Sequence, residues 1–156
     1  MAKKILVPVD GSRPSKHAVR YASDISKKLG AGVWALRVID VPRFSHWMSA
    51  HQKLEGEMEE EARAVLEASK TIAREYGVEI ETSIRKGYPY EEIINAVKED
   101  PDVILVVMGS SGKNLTARRM LGSVTQEIVR EVSRSLPVPV VIVPGVDEML
   151  HERLGI

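Results

Sequence analysis

Residues 103–125 of the chain read VILVVMGSSGKNLTARRMLGSVT. The first six are an apolar run without a polar residue, which is typical of a β-strand buried on both faces. Two glycine turns, at 109–112 and at Gly122, then bracket a basic loop, and the second turn opens a helix. Backbone N–H groups at such turns, with the positive end of a helix dipole, suit a phosphate group. The stretch therefore predicts an anion-binding corner at the end of a buried strand.

Strand and helix patterns alternate along the rest of the chain. Helical crossovers between strands imply a parallel sheet covered on both faces, so we expect an α/β fold. The region 42–52 lacks a clear period and predicts a loop or an irregular start to the next helix. The predicted strands are 4–9, 33–41, 78–85, 103–108 and 138–143. The apolar run 140–143 in the last of these also predicts burial on both faces of the sheet. The predicted helices are 12–29 (capped by Ser12 and ended by Gly30), 53–76 (ended by Gly77), a short one after Gly87-Tyr88-Pro89, and 123–135.

Composition limits the classes of function. The 156 residues predict one domain, with residues 146–156 as a short C-terminal tail. Lys plus Arg and Asp plus Glu balance at 22 each, so no overall field favours nucleic acid or an anionic membrane. The absence of cysteine excludes disulfides and thiol catalysis. The first apolar stretch is too short for a signal peptide, and we expect a cytoplasmic protein.

The glycine loop does not fit the common phosphate-binding motifs. A Walker loop would need Ser or Thr where Asn114 stands and glycine where Val107 stands. The dinucleotide pattern Gly-x-Gly-x-x-Gly is absent. What remains is Gly109, two residues, Gly112, nine residues and then Gly122-Ser123, which resembles the nucleotide-binding pattern of the universal stress protein family. The likeness extends over roughly residues 3–145, through the segments 3–12, 38–40, 87–89, 121–125 and 137–143.

This resemblance implies a Rossmann-like five-stranded parallel sheet, for which we expect the order 3-2-1-4-5, and a site typical of the ATP-binding branch. Ligands of open parallel sheets bind beyond the carboxyl ends of the strands. The resemblance implies ATP, with or without Mg²⁺, as the cofactor. Ser111 departs from the family pattern, which often has His there. By the likeness, the base and ribose are surrounded by Pro8, Val9, Asp10 and Val38. The phosphates are held by Gly109, Ser110, Gly112, Lys113, Gly122, Ser123, Val124 and Thr125. The predicted nucleotide-binding residues also include Met108 and Asn114.

Several of these residues have a purely structural alternative. Gly109 and Gly112 also fit a plain turn after a strand. Asp10 fits a cap of the first helix as well as a contact to a ribose hydroxyl, and Ser123 with Gln126 fits a capping box. The four histidines lack the spacing of metal ligands, so we expect neither a metal site nor a catalytic histidine.

The fifth strand predicts an assembly. Prolines at its ends are typical of an edge strand, yet residues 140–143 are apolar throughout, and such an edge favours pairing with another chain. We therefore expect a homodimer through the strand 138–143. The leading functional hypothesis is an ATP-binding, stress-responsive regulatory module without catalytic residues. The alternatives are a slow ATPase or phosphotransferase and an interaction protein of the same fold that binds no nucleotide.

Overall fold

The computed structural model describes residues 2–40, 48–111, 121–145, 152–153 and 155. Strands and helices alternate, and no helix in these ranges is long and apolar enough to cross a membrane. The tail residues 146–151 lie outside the described ranges. The elements are β1 (Lys4–Pro8), α1 (Arg13–Leu29), β2 (Gly32–Ile39), α2 (Met48–Glu75), β3 (Glu81–Lys86), α3 (Pro89–Glu99), β4 (Val103–Gly109), α4 (Ser123–Val132) and β5 (Val140–Val143).

All five strands are parallel, in the order β3-β2-β1-β4-β5. This confirms the predicted α/β fold and its strand order. Two apolar layers sandwich the sheet. On one face α1 and α2 pack on side chains such as Ile5, Val7 and Val107. On the other face α3 and α4 pack on Leu6, Leu36 and others.

Several element boundaries differ from the predicted ones: β2 ends at Ile39, α4 ends at Val132 and β5 begins at Val140. Helix α2 begins at Met48, inside the stretch predicted as a loop or an irregular helix start, while residues 42–47 lie outside the described ranges. Strand β3 begins at Glu81 rather than at residue 78. The Val78 N–H donates to the Ala73 carbonyl and closes α2 behind Gly77, whose φ is 71°. Val78 therefore completes the end of the helix instead of pairing with β2.

Strand β5 is less buried than its apolar sequence indicates. Residues 140–142 are half-buried and only Val143 is buried, so the prediction of burial on both sides was wrong for this strand. The reason is its position, because β5 is an edge strand and β4 is its only partner among the described strands. Strand β4 lies inside the sheet and has a mostly buried pattern.

A charged cluster around Lys4 connects neighbouring elements at the amino end of the sheet. Its ammonium lies 2.9 Å from the Asp100 carboxylate and 3.2 Å from that of Glu81, and it sits 5.5 Å from the centre of the Trp34 ring. The hydrogen bond from Lys4 holds the pKa of Asp100 below its ordinary value, and the same bond raises the pKa of Lys4. The Trp34 Nε1–H donates to Ser83 Oγ at 2.7 Å. Strands β1, β2 and β3 and the end of α3 are thus joined by side chains as well as by backbone.

Candidate nucleotide-binding site

A cavity of about 560 Å³ opens at the carboxyl ends of β1, β2 and β4. Strand β1 continues into α1 on one face of the sheet and β4 leads towards α4 on the other. The chain therefore diverges between these adjacent strands, which is where open parallel sheets bind ligands. The described residues that line the cavity are Pro8, Val9, Asp10, Ser15, Leu36, Arg37, Val38, Pro89, Ile93, Met108, Gly109, Ser111, Leu121, Gly122, Ser123, Val124 and Thr125.

The turn after β1 holds Asp10 at the cavity without using it as a helix cap. The cap of α1 is Ser12, whose Oγ accepts the Ser15 N–H at 3.3 Å. The Asp10 carboxylate instead accepts the Ser12 N–H at 2.9 Å, across a turn whose Gly11 has φ 81°. The structural alternative for Asp10 was therefore wrong, because the cap belongs to Ser12.

Ser15 is a buried lining residue that the sequence did not single out. Its hydroxyl donates to the Ser12 carbonyl at 3.0 Å and accepts the Asp10 N–H at 3.4 Å. It thus connects the first turn of α1 to the end of β1. Proline at the start of α1 and the Ser12 cap fix this turn, so Ser15 holds the backbone of Asp10 in position.

The first turn of α4 faces the cavity with its backbone donors. Its N-cap is Gly122, at φ −61° and ψ 155°, and no side chain caps this end within the described ranges. The predicted capping box between Ser123 and Gln126 was wrong: Ser123 is the first helical residue, and Gln126 Nε2 donates to the Leu121 carbonyl at 2.7 Å. The N–H groups of residues 123–125 have no acceptor within the helix, as in any first turn. All three residues line the cavity, so these donors can serve an anion there.

Protein packing by itself requires glycine at position 109. A Cβ placed on Gly109 would lie 2.7 Å from the carbonyl carbon, the oxygen and the Cβ of Pro14. The first turn of α1 therefore approaches Gly109 closely. The Gly109 carbonyl accepts the hydroxyl of the buried Thr125 at 3.0 Å. The Thr125 hydroxyl, which the family likeness assigned to a phosphate, joins β4 to α4 instead.

The structure brings most of the predicted residues together. Ser110 is not among the lining residues; its N–H donates to the Val143 carbonyl at 3.2 Å, and its carbonyl accepts the Gly122 N–H at 2.9 Å. Gly112, Lys113 and Asn114 lie outside the described ranges. The predicted residues that line the cavity are Pro8, Val9, Asp10, Val38, Met108, Gly109, Gly122, Ser123, Val124 and Thr125.

The lining residues that the sequence analysis missed come mainly from helices and from β2. They are Ser15, Leu36, Arg37, Pro89, Ile93, Ser111 and Leu121. The turn Gly87-Tyr88-Pro89 after the third strand was a usable signal for Pro89. Ser15 lies in the first turn of α1 and Ile93 one turn inside α3, so only the topology reveals them. Within the described ranges no three His, Asp or Glu side chains gather in a way that would hold a metal ion.

Comparison with known proteins is consistent with this geometry. The sequence model described as "Universal stress protein family" matches residues 1–144. The chain belongs to the universal stress protein family. A universal stress protein of Methanocaldococcus jannaschii is 36% identical over 135 residues, which cover 82% of this chain and 76% of the relative. The structure of universal stress protein UspA from Lactobacillus plantarum superposes with a TM-score of 0.79 at 25% identity, covering 90% of this chain and 97% of that one.

More distant structural neighbours share the fold and are complexes with adenine nucleotides. One universal stress protein, bound to cAMP, has a TM-score of 0.66 at 23% identity and covers 93% of this chain and 98% of its own. The protein from Archaeoglobus fulgidus with dAMP gives 0.66 at 19%, with 91% and 97% coverage. The Arabidopsis thaliana family member with AMP gives 0.67 at 19%, with 94% coverage of both chains.

Proposed function

We propose that this universal stress protein binds ATP in the cavity and acts as a stress-responsive regulatory module in the cytoplasm. The observation that carries the proposal is the first turn of α4, whose backbone donors line a cavity at the point where the chain diverges between β1 and β4. The adenine nucleotides held by structural neighbours of the same family support an adenine nucleotide as the ligand.

The two ends of the cavity differ in chemistry, and this supports an oriented nucleotide. The end near β2 and α3 is mostly apolar, with Leu36, Val38, Pro89 and Ile93 beside the cation of Arg37. The end near α4 has the donors of residues 123–125. Its volume of about 560 Å³ lies in the usual range for small-molecule sites, roughly 300–1,000 Å³. A base fits the apolar end, phosphates fit the start of α4, and Asp10 between them would accept a hydrogen bond from a ribose hydroxyl.

Binding without rapid chemistry agrees with the side chains present. Asp10 is the only carboxylate among the described lining residues. A Mg²⁺ ion would therefore be held mainly by the phosphates of the nucleotide, with Asp10 as the nearest protein oxygen donor. Lys113 remains a predicted phosphate contact, and Asn114 remains a predicted nucleotide contact. Phosphoryl transfer needs a positioned nucleophile or base as well as metal ligands, and we propose a binding role rather than catalysis.

Isothermal titration with ATP, AMP and cAMP tests the proposal, and Ser123→Pro is the informative variant. Proline is tolerated at the first helical position, and Gly122 already has the extended backbone that precedes proline. The variant removes one N–H donor from the cavity without breaking α4. We expect ATP affinity to fall about tenfold, which is the value of one charge-assisted hydrogen bond.

Ser123→Ala is the matched control, because it removes the hydroxyl and keeps the N–H. We expect it to bind ATP within about threefold of the wild type, since a solvent-competed hydroxyl contributes little. The absence of heat with all three nucleotides would refute nucleotide binding. Phosphate release that exceeds the buffer rate and is lost in Asp10→Ala would instead favour the ATPase alternative.

We also propose that two copies pair along β5. Among the described residues no strand pairs with the outer edge of the half-buried strand Val140–Val143, and Val129 and Val132 on the neighbouring α4 are 43% and 44% exposed. An apolar edge of this kind favours pairing with another chain. We expect a dimer by size-exclusion chromatography with light scattering, and Val141→Lys to shift it towards monomer. A monomeric wild type at micromolar concentration would contradict this proposal.

A further inference from the structure

Arg37 places a cation at the apolar end of the cavity. It comes from β2, and it is the only Lys or Arg among the described lining residues. Its Nη2 donates to the Glu61 carboxylate of α2 at 2.9 Å, and its Nη1 donates to the Val38 carbonyl at 3.1 Å. The side chain is only 18% exposed. The guanidinium is therefore fixed in direction by contacts on two of its three nitrogens.

The Val38 carbonyl shows where this guanidinium lies. The backbone carbonyls of β2 point alternately towards β1 and β3. The Leu36 carbonyl accepts the N–H of Val9, just after β1, and the Ile39 carbonyl accepts the N–H of Gly87, just after β3. The Val38 carbonyl consequently faces the β1 side, two residues beyond the last β1–β2 pair, Pro8 with Leu36. An Arg37 nitrogen bound to it lies over the end of β1, where the cavity opens.

The guanidinium has further donors besides those two contacts. Its Nη1 and Nη2 carry two hydrogens each, and the contacts to Val38 and Glu61 use one apiece. Arg37 Nε is shielded from solvent and has no acceptor among the residues that the structure describes, so the Nη groups are the donors within reach of a ligand in the cavity. Across the end of the sheet from Arg37, Pro89 and Ile93 of α3 form an apolar wall. A flat ring with acceptor nitrogens on its edge would accept from an Nη–H and contact this wall.

We propose that Arg37 contacts the base of the bound nucleotide, an Nη–H donating to a ring nitrogen, and thereby helps select a nitrogen heterocycle at this end of the cavity. The inference rests on the proposed nucleotide function and names a specificity residue for the same site. Glu61 acts as a positioning residue, since it holds the plane of the guanidinium. The fork of Arg is needed because a lysine ammonium cannot serve Glu61, Val38 and a base at fixed angles.

The test is isothermal titration of ATP into Arg37→Gln, Arg37→Lys and the control Arg85→Gln. Arg85 is a closely matched arginine on β3: its side chain is 24% exposed and it pairs with Glu99 at 2.7 Å, but it is not among the lining residues. We expect Arg37→Gln to weaken ATP binding about tenfold, Arg37→Lys to recover less than half of that loss on a logarithmic scale, and Arg85→Gln to leave affinity within about twofold. Urea unfolding of each variant shows whether it is folded.

The outcomes separate this inference from the proposed function. Lack of ATP binding by the wild type refutes both. Wild-type binding with an unchanged affinity in folded Arg37→Gln refutes only the role of Arg37. Full recovery by Arg37→Lys also refutes it, because charge alone would then account for the effect. An equal loss in Arg85→Gln would show a general effect of removing a strand arginine.

Discussion

Replacing Gly109 by alanine should lower the free energy of unfolding by about 3 kcal/mol, at the upper end of the cost of overpacking. The added Cβ would lie 2.7 Å from the carbonyl carbon and oxygen of Pro14, as well as from its Cβ. Backbone atoms cannot move away by changing rotamer, so either α1 or the end of β4 has to shift. Urea denaturation monitored by circular dichroism would measure the change.

Gly145→Ala is the matched control for this prediction. Its Cβ would approach the same proline, but at 3.9 Å from Pro14 Cγ and 3.5 Å from Ser110 Oγ, which are ordinary contacts. We expect its unfolding free energy to stay within about 0.5 kcal/mol of the wild type. Because Gly109 and Ser15 both line the cavity, Gly109→Ala should also weaken ATP binding. A Gly109→Ala protein as stable as the wild type would show that α1 adapts freely at its first turn.

Thr125→Val should lower the free energy of unfolding by about 2 kcal/mol. The substitution keeps the shape of the side chain and removes the hydroxyl that donates to the Gly109 carbonyl at 3.0 Å. Thr125 is only 3% exposed, so water has little access to the Gly109 carbonyl once the hydroxyl is removed. A buried polar group left without a hydrogen bond costs about 1–3 kcal/mol.

Thr125→Ser separates the hydroxyl from the methyl group. It keeps the donor to Gly109 and loses one buried methyl, so we expect a cost of about 1 kcal/mol, below that of Thr125→Val. Thermal or urea unfolding of both variants gives the comparison. If serine were the more harmful change, the methyl contact would outweigh the hydrogen bond, and the link between β4 and α4 would be one of packing.

The sequence was sufficient for the fold because its strand and helix periods agree with its turn residues. Gly30 and Gly77 end their helices with φ of 64° and 71°, and helical crossovers permit only a parallel sheet. What failed were details decided by tertiary partners. The pattern Ser123-x-x-Gln126 looks like a capping box, but Gly122 takes the cap position because its N–H is held by the Ser110 carbonyl. That bond joins residues twelve positions apart in the sequence and cannot be seen in a local pattern.

The candidate site was predictable where it follows strand ends and not where it depends on helices crossing the sheet. Pro8, Val38 and Gly109 come at the carboxyl ends of strands, so topology alone places them at one rim. The family likeness assigned Gly109 to the phosphates, but its close packing against Pro14 could not be predicted from the sequence. Arg37 reads as an ordinary polar interruption in a strand, and its place at the cavity depends on the ion pair with Glu61 of α2.

The charged cluster around Lys4 lies at the opposite end of the strands from the cavity. Lys4, Asp100 and Trp34 join neighbouring elements there, while the ligand-facing rim is made of turns and helix starts. Rim residues other than Gly109 and Thr125, which pack against neighbouring elements, can thus be exchanged for others of different size or charge without disturbing the cluster around Lys4. The architecture therefore lends itself to engineering: recognition at one end should be open to redesign while the other end keeps the scaffold assembled.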